Sequence, residues 1–247
     1  LWNMKFRTEL KTDFVGDLIS YQSKILTIGS CFADNLGGHL KDYDFSVVNN
    51  PFGVLFNPVA IFDALDCSLK DEIEDDLFVE RDGHWFHFYY HSSLTATTKE
   101  ELKSKISACQ QQTKDQLLNG DVLIVTLGTA WVYKHLKKDK YVANCHKIAQ
   151  SEFEKELMSL ESLKAWCHSF LVSLFEKNKK LKIILTVSPV RHIKDGLHEN
   201  NLSKSVLHLL SNHLKNNFPI IVRNLRLIVK VYFLSFNPFQ LLWNSMA

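Results

Sequence analysis

The sequence predicts an α/β protein, built as a three-layer α/β/α sandwich around a parallel sheet with hairpin insertions. Short apolar runs recur along the chain, and segments with helical spacing of apolar residues separate them. Buried strands that alternate with helices are typical of a parallel sheet covered on both faces. Three of the apolar runs also end in small or polar residues, and ligands bind at this end of the strands in such sheets.

The first strands and helices of the predicted sandwich follow one another closely. Residues 24–30 form a short apolar strand that runs into a turn, and residues 31–40 carry apolar side chains at helical spacing. Residues 45–48 are predicted to form a second strand. Pro58 is predicted to open a helix that ends near residue 66, because proline suits the first helical turn.

The middle of the chain contains two predicted hairpins and a helix. Residues 77–90 form the first hairpin, with Asp82-Gly83 as its turn. Residues 99–118 form a helix that ends at Asn119-Gly120, and residues 131–143 form the second hairpin. We interpret the hairpins as insertions, because neither carries the uninterrupted apolar pattern of a central strand.

Two further strands and two helices complete the pattern. Residues 121–129 form the clearest buried strand, and residues 182–187 form another. Residues 152–177 are predicted to be one long amphipathic helix, since apolar side chains recur at spacings of three and four. Residues 202–215 are predicted to be helical.

Small or polar residues follow three of the predicted central strands, at Gly29-Ser30, Gly128-Thr129 and Ser188-Pro189. The carboxyl ends of parallel strands meet at one edge of the sheet, so we expect these residues to converge there. The sequence therefore predicts the functional site at this edge.

Ser30 is the candidate nucleophile at that edge. A serine at a strand-to-helix turn lies at a helix N-terminus, whose N–H groups and dipole favour developing negative charge. The same position is also the usual place of a helix-capping serine. The residues alone leave both roles open.

The segment Gly29-Ser30-Cys31-Phe32-Ala33 resembles the motif that gives the GSCFA family its name. The family is placed with the SGNH (GDSL-like) hydrolases, so the resemblance implies a flavodoxin-like parallel sheet of the SGNH hydrolase type. It extends over about residues 4–215. The other segments that resemble the family are Phe6-Arg7-Thr8-Glu9, Asn50-Pro51-Phe52-Gly53-Val54, Leu127-Gly128-Thr129-Ala130-Trp131-Val132-Tyr133, Asn144-Cys145-His146-Lys147 and Ser188-Pro189-Val190-Arg191-His192.

The resemblance implies a serine hydrolase or acyltransferase that acts on an acyl ester through Ser30, with a carbohydrate-linked ester as one candidate substrate. By position, Ser30 matches the nucleophile and also an oxyanion-hole donor, and Gly53 matches a second donor. An asparagine supplies the third donor in SGNH hydrolases. The corresponding turn here has none, so Thr129 is the candidate in its place.

SGNH hydrolases also carry an Asp-x-x-His block near the C-terminus, whose histidine is the base. No such block occurs in this chain. His192 and His146 are the candidate bases or substrate contacts, together with Asn144. A serine without a base is a weak nucleophile. The alternative is therefore a degenerate, non-catalytic SGNH-like binding domain.

Three other kinds of site are disfavoured by residue spacing. On one strand His84 would face away from His87 and His91, so these histidines do not predict a metal site. No glycine-rich phosphate loop precedes the first helix, and we expect no cofactor. Cys31 beside Ser30 is interpreted as a packing residue, with a nucleophilic thiol as the alternative.

The composition limits the kinds of binding partner and the cellular compartment that we expect. Hydrophobic residues make up 46% of the chain and the net charge is +2, which predicts neither a nucleic-acid partner nor a disordered protein. The five cysteines are odd in number and lack a Cys-x-x-Cys spacing. With no apolar leader at the N-terminus, we expect a cytoplasmic protein without a membrane span that takes a small-molecule or carbohydrate ester.

The C-terminal part, about residues 219–247, differs from the rest of the predicted single domain 1–247. Glu199 is the last acidic residue, and apolar side chains dominate from Ile220 onward. A buried terminal strand and helix is one explanation. A membrane span is not, because the uncharged run 231–247 is shorter than about 20 residues. We favour a truncated or frame-shifted end, which also fits three residues ahead of Met4.

Overall fold

The computed structural model describes residues 19–191, 196–218 and 221–222 of the chain. Within these ranges the strands are β1 (Lys24–Gly29), β2 (Ser46–Asn49), β3 (Phe78–Arg81), β4 (His84–His87), β5 (Val122–Leu127), β6 (Trp131–His135), β7 (Lys140–Val142), β8 (Phe153–Leu157), β9 (Lys182–Val187) and β10 (Ile221–Val222). The helices are α1 (Cys31–Asp42), α2 (Pro58–Lys70), α3 (Lys99–Asn119), α4 (Leu160–Lys177) and α5 (Leu197–Asn217).

The main sheet is parallel and follows the order β10-β9-β5-β1-β2. Renumbered along the chain, its five strands have the order 2-1-3-4-5, which is the flavodoxin-like arrangement. The strand order reverses between β1 and β5, where the first strand lies beside the third. The predicted three-layer α/β fold is confirmed.

Helices cover both faces of this sheet. On one face, Phe32 and Leu36 of α1 pack with Ile25, Val122 and Ile124 of the strands. Helices α2, α3, α4 and α5 contribute to the larger cluster on the other face. Burial of each large aliphatic side chain contributes about 1.5–3 kcal/mol, so the central strands are fixed from both sides.

Polar side chains fix the starts of four helices. The capping residues are Ser30, Asn57, Thr98 and Ser159, and each accepts a hydrogen bond from an N–H in the first turn of its helix. Such a cap typically contributes about 1 kcal/mol. The cap at Asn57 stands directly before Pro58, so the predicted proline-opened helix is confirmed, and it continues to Lys70.

Both predicted hairpins are present. Strands β3 and β4 pair antiparallel, and β6 pairs antiparallel with β7. Asp82 and Gly83 both have positive φ angles, 52° and 74°, as the tight turn between β3 and β4 requires. The hairpins lie outside the main sheet, as expected for insertions.

The prediction of one helix over residues 152–177 is wrong at its start. Phe153–Leu157 is strand β8, which pairs antiparallel with β6, and α4 begins only at Leu160. Phe153 and Leu157 are four residues apart, a spacing that shares one face in a helix and in a strand alike. Helix α5 also begins earlier than predicted, at Leu197.

Little of the C-terminal segment lies within the described residues. Ile221 and Val222 form β10, which continues the sheet beside β9. The rest of residues 219–247, and with it the expectation of an altered end, lies outside. Among the described residues no helix has the length and apolarity needed to cross a membrane.

Candidate active site

The three strand ends singled out in the sequence meet at the carboxyl edge of the main sheet. Ser30 follows β1, and its N–H donates a hydrogen bond to the Thr126 carbonyl oxygen in β5, at 3.0 Å. Ser188 follows β9, and its N–H donates to the Leu127 carbonyl oxygen at 2.8 Å. The predicted convergence of these segments is confirmed.

The close approach of β1 to β5 fixes the position of Ser30. Gly29 has a φ angle of 135°, and a Cβ atom there would lie 2.2 Å from the Thr126 carbonyl oxygen. Only glycine fits such a position. Ser30 then caps α1, and its Oγ accepts a hydrogen bond from the Phe32 N–H at 3.4 Å, the long end of the hydrogen-bond range. Its exposed fraction is 1%.

The oxyanion donors implied by the resemblance all have protein partners. The Ser30 N–H is held by the sheet, as described above. The Gly53 N–H donates to the Asn50 carbonyl oxygen at 2.8 Å, and the Thr129 N–H donates to that of Phe56 at 3.0 Å. The oxyanion role of these groups stays a prediction, and each group would have to exchange its partner to take it up.

Asn50 provides a donor that the sequence did not single out. Its Oδ1 accepts a hydrogen bond from the Gly29 N–H at 2.9 Å, which fixes the orientation of the amide. Among the described residues its Nδ2 is buried and has no hydrogen-bond partner. Leaving such a donor unpaired costs about 1–3 kcal/mol. The amide is bonded to Gly29, the residue directly before Ser30, so an oxyanion formed on a substrate at Ser30 could accept from it.

Helix α5 closes the edge over the turn that follows β5. The Ser203 Oγ accepts a hydrogen bond from the Ala130 N–H at 2.7 Å and lies 3.0 Å from the Thr129 Oγ1. The Thr129 hydroxyl also accepts from the Trp131 N–H at 3.1 Å. These bonds hold the turn rigidly, with the Thr129 hydroxyl as part of it.

Lys204 is a second residue that sequence reasoning missed. It extends from α5, and its Nζ donates hydrogen bonds to the carbonyl oxygens of Gly128 at 2.6 Å and Ser188 at 2.7 Å. Burial lowers the pKa of this amine from 10.5 to about 8, while the field of the Cys31 side chain opposes the shift. The sequence shows only a lysine in an amphipathic helix, so its pattern carries no signal.

His146 and Asn144 lie together, but with the hairpin β3–β4. The His146 Nε2 donates to the His87 carbonyl oxygen at 3.0 Å, and its Nδ1 faces the Ser92 Oγ at 3.2 Å. Asn144 Oδ1 accepts from the His146 N–H at 2.9 Å. Burial lowers the pKa of His146. None of these bonds reaches Ser30, and the roles given to the two residues stay predictions.

The remaining candidates add little to the edge. His192 lies outside the described residues, so its role as base stays a prediction. Cys31 is partly exposed in the first turn of α1. His87 is buried, and its Nε2 donates to the Glu74 carbonyl oxygen at 3.0 Å. Within the described ranges no group of His, Cys, Asp or Glu side chains is arranged to hold a metal ion.

A comparison with protein-family models gives a match to the GSCFA family over residues 24–223. The matched range includes every strand of the main sheet and the whole carboxyl edge. No curated protein and no solved structure matches the chain.

Proposed function

Because the chain belongs to the GSCFA family, we propose that it hydrolyses or transfers an acyl ester through a covalent acyl-Ser30 intermediate. The observation that carries the proposal is the unpaired Nδ2 of Asn50 beside Gly29 and Ser30. A buried donor without a partner is costly to the fold, and acyl transfer gives it a use. The likeness of the family motif to SGNH hydrolases supports the same reaction and leaves the acyl group open.

The proposed chemistry uses three features of the edge. The Ser30 Oγ attacks the ester carbonyl carbon, and its weak capping bond to Phe32 costs little to give up. The N-terminus of α1 favours the negative charge that develops on the carbonyl oxygen. The Asn50 amide donates a hydrogen bond to that oxygen. A donor of this kind contributes about 3–4 kcal/mol in the transition state.

A second candidate is a binding domain that keeps the edge without catalysis. Two observations favour it: Ser30 is buried, and both ring nitrogens of His146 are bonded, to His87 and to Ser92. In this case Ser30 is a helix cap and Asn50 a ligand contact.

A covalent label separates the two candidates. The wild type is treated with a fluorophosphonate probe and, in parallel, with p-nitrophenyl acetate. We expect the probe on the peptide that contains Ser30, and neither labelling nor enzymatic turnover in Ser30→Ala. Ser211→Ala is the matched control, because Ser211 is also buried but donates to the Leu207 carbonyl oxygen inside α5. An unlabelled wild type with the turnover of Ser30→Ala would show a binding domain.

A further inference from the structure

The amine of Lys204 is held at the carboxyl edge by two main-chain carbonyl groups. One belongs to Gly128, directly after β5, and the other to Ser188, directly after β9. Among the described residues no carboxylate forms an ion pair with it. A lysine held only by neutral groups and partly buried lacks the usual stabilisation of its positive charge.

Two carbonyl acceptors are enough to satisfy the neutral form of the amine. An ammonium group has three N–H donors, so two carbonyl oxygens leave the third one to water, which reaches this partly exposed side chain. A neutral amine has two N–H donors, both satisfied here, and a lone pair directed away from the carbonyl groups. Burial acts in the same direction, since it lowers the pKa of Lys204 to about 8. The site therefore presents a proton acceptor at mildly alkaline pH.

This amine lies on the side of the sheet edge where Ser30 stands. Strand β5 is the neighbour of β1, and the Ser30 N–H is bonded to Thr126, two residues before Gly128. The side chain of Cys31, next to Ser30, is close enough to act on the pKa of Lys204. The nucleophile and the amine are thus placed at adjacent strand ends.

We infer that Lys204 is the general base for Ser30, an inference that rests on the proposed acyl transfer. The neutral Nζ takes the proton from the Ser30 hydroxyl as Oγ bonds to the acyl carbon. When the C–O bond to the leaving alcohol breaks, the ammonium returns this proton to the alcohol oxygen. In hydrolysis Lys204 then takes a proton from the attacking water, and Ser30 recovers it as the acyl–Oγ bond breaks.

The groups that surround Lys204 should not obscure the effect of its own titration on the pH profile. Strands β5 and β9 present carbonyl oxygens, and α1 presents the Cys31 thiol. On α5 the nearest titratable side chains are Glu199 and His208, five residues before and four residues after it. In the part of the chain that is described, Cys31 is the titratable group that acts on the pKa of Lys204, and its thiolate raises it.

The test is the pH dependence of kcat/KM for p-nitrophenyl acetate, with spontaneous hydrolysis subtracted. In the wild type we expect a rise of about tenfold per pH unit that levels off near pH 8, where Lys204 becomes neutral. Lys204→Met and Lys204→Arg should lose about 100-fold to 10,000-fold and also lose the rise. The guanidinium of arginine keeps a donor for the carbonyl groups but stays protonated.

Controls separate this role from a structural one. Lys215→Met removes an exposed lysine at the other end of α5 and should keep the rate and profile of the wild type. The wild type also gives a readout that needs no variant, because fluorophosphonate labelling of Ser30 should accelerate through about pH 8.

The outcomes distinguish this inference from the proposed function. Turnover that depends on Ser30 but keeps its rate and pH profile in Lys204→Arg would overturn the role of Lys204 alone. So would labelling of Ser30 at a rate independent of pH. Turnover that is the same in the wild type and Ser30→Ala would overturn both.

Discussion

Buried polar groups differ in their hydrogen bonding between the carboxyl edge of the main sheet and the hairpin side of the molecule. We use hairpin side for the β3–β4 hairpin, the β6–β7–β8 sheet and the faces of α2 and α4 next to them. There, His87 bonds through both ring nitrogens, to Glu74 and to Tyr89. At the edge, and among the described residues, Asn50 keeps a buried donor unpaired, and the hydrogen bonds of the Lys204 amine go to two carbonyl groups.

The difference separates groups that hold the fold from groups that remain available to a ligand. A polar side chain with all its bonds made has nothing left to offer a substrate, whereas an unpaired donor gains when an acceptor arrives. His135 is the exception on the hairpin side, because its Nδ1 has no partner among the described residues. Its ring packs edge-on against Phe88 and Phe153.

Among the substitutions that compare these two regions, Asn50→Asp should have the largest effect, a loss of about 100-fold to 1,000-fold in kcat. The aspartate keeps the oxygen that accepts from the Gly29 N–H but replaces the donor amide with an acceptor. Hydrolysis of p-nitrophenyl acetate, measured beside the thermal unfolding midpoint, checks this expectation.

Asn57→Asp is the matched control for that substitution. Asn57 is also buried, and its Oδ1 caps α2 by accepting from the Ala60 N–H at 2.8 Å. Aspartate caps helices as well as asparagine does, so the rate should stay unchanged. Equal losses in both variants would remove the special role of Asn50.

His87 should make the hairpin side sensitive to acid. Burial lowers the pKa of His87 from 6.5 to about 4, so the folded state holds the neutral ring. Its contribution is present above the unfolded pKa of about 6.5 and is lost as pH falls through about 4, by up to roughly 3 kcal/mol.

His87→Gln isolates that contribution, because glutamine keeps a hydrogen bond and does not titrate. Urea unfolding at pH 7.5 and at pH 4.5 gives the free energy of unfolding of both proteins. The stability advantage of the wild type should shrink at the lower pH. An advantage that is constant with pH would mean that the folded and the unfolded ring take up the proton alike, so that burial does not lower the pKa of His87.

The central sheet could be predicted because its signal is local. Strands β1, β5 and β9 are mostly apolar, with one threonine in each, and caps such as Ser30 lie at their expected positions. The error at β8 has the same origin, since Phe153 and Leu157 satisfy both periodicities and only the pairing with β6 decides between them. Local patterns do not contain that pairing.

The residues of the candidate site differ in the same way, because some have a local sequence signal and others do not. Ser30 could be predicted from its motif and from its place at the end of a strand. Asn50 and Lys204 could not, because their properties come from contacts with Gly29, Gly128 and Ser188, which lie 16 to 76 residues away along the chain. An unpaired donor or a buried amine is a property of the folded chain.

Asp63 should have the smallest effect on stability, and its contribution should change with pH in the direction opposite to that of His87. It faces a cavity of about 580 Å³ between α2 and α4, and its Oδ1 accepts from the Trp166 Nε1–H at 2.6 Å. Burial raises its pKa from 3.8 to about 7. Its contribution to stability is therefore present below the unfolded pKa of about 3.8 and is lost as pH rises through about 7.

Asp63→Asn should be more stable than the wild type at pH 8, by roughly 1–3 kcal/mol, and nearly equal to it at pH 4. The asparagine keeps the oxygen that Trp166 needs but carries no charge. Asp66→Asn is the control, since Asp66 is partly exposed and pairs with Lys70, and it should change stability by less than about 1 kcal/mol. If Asp63→Asn were no more stable than the wild type at pH 8, the Asp63 carboxylate would be well stabilised in the folded state. Burial would then not raise the pKa of this group, and ionising it would cost the hairpin side no stability.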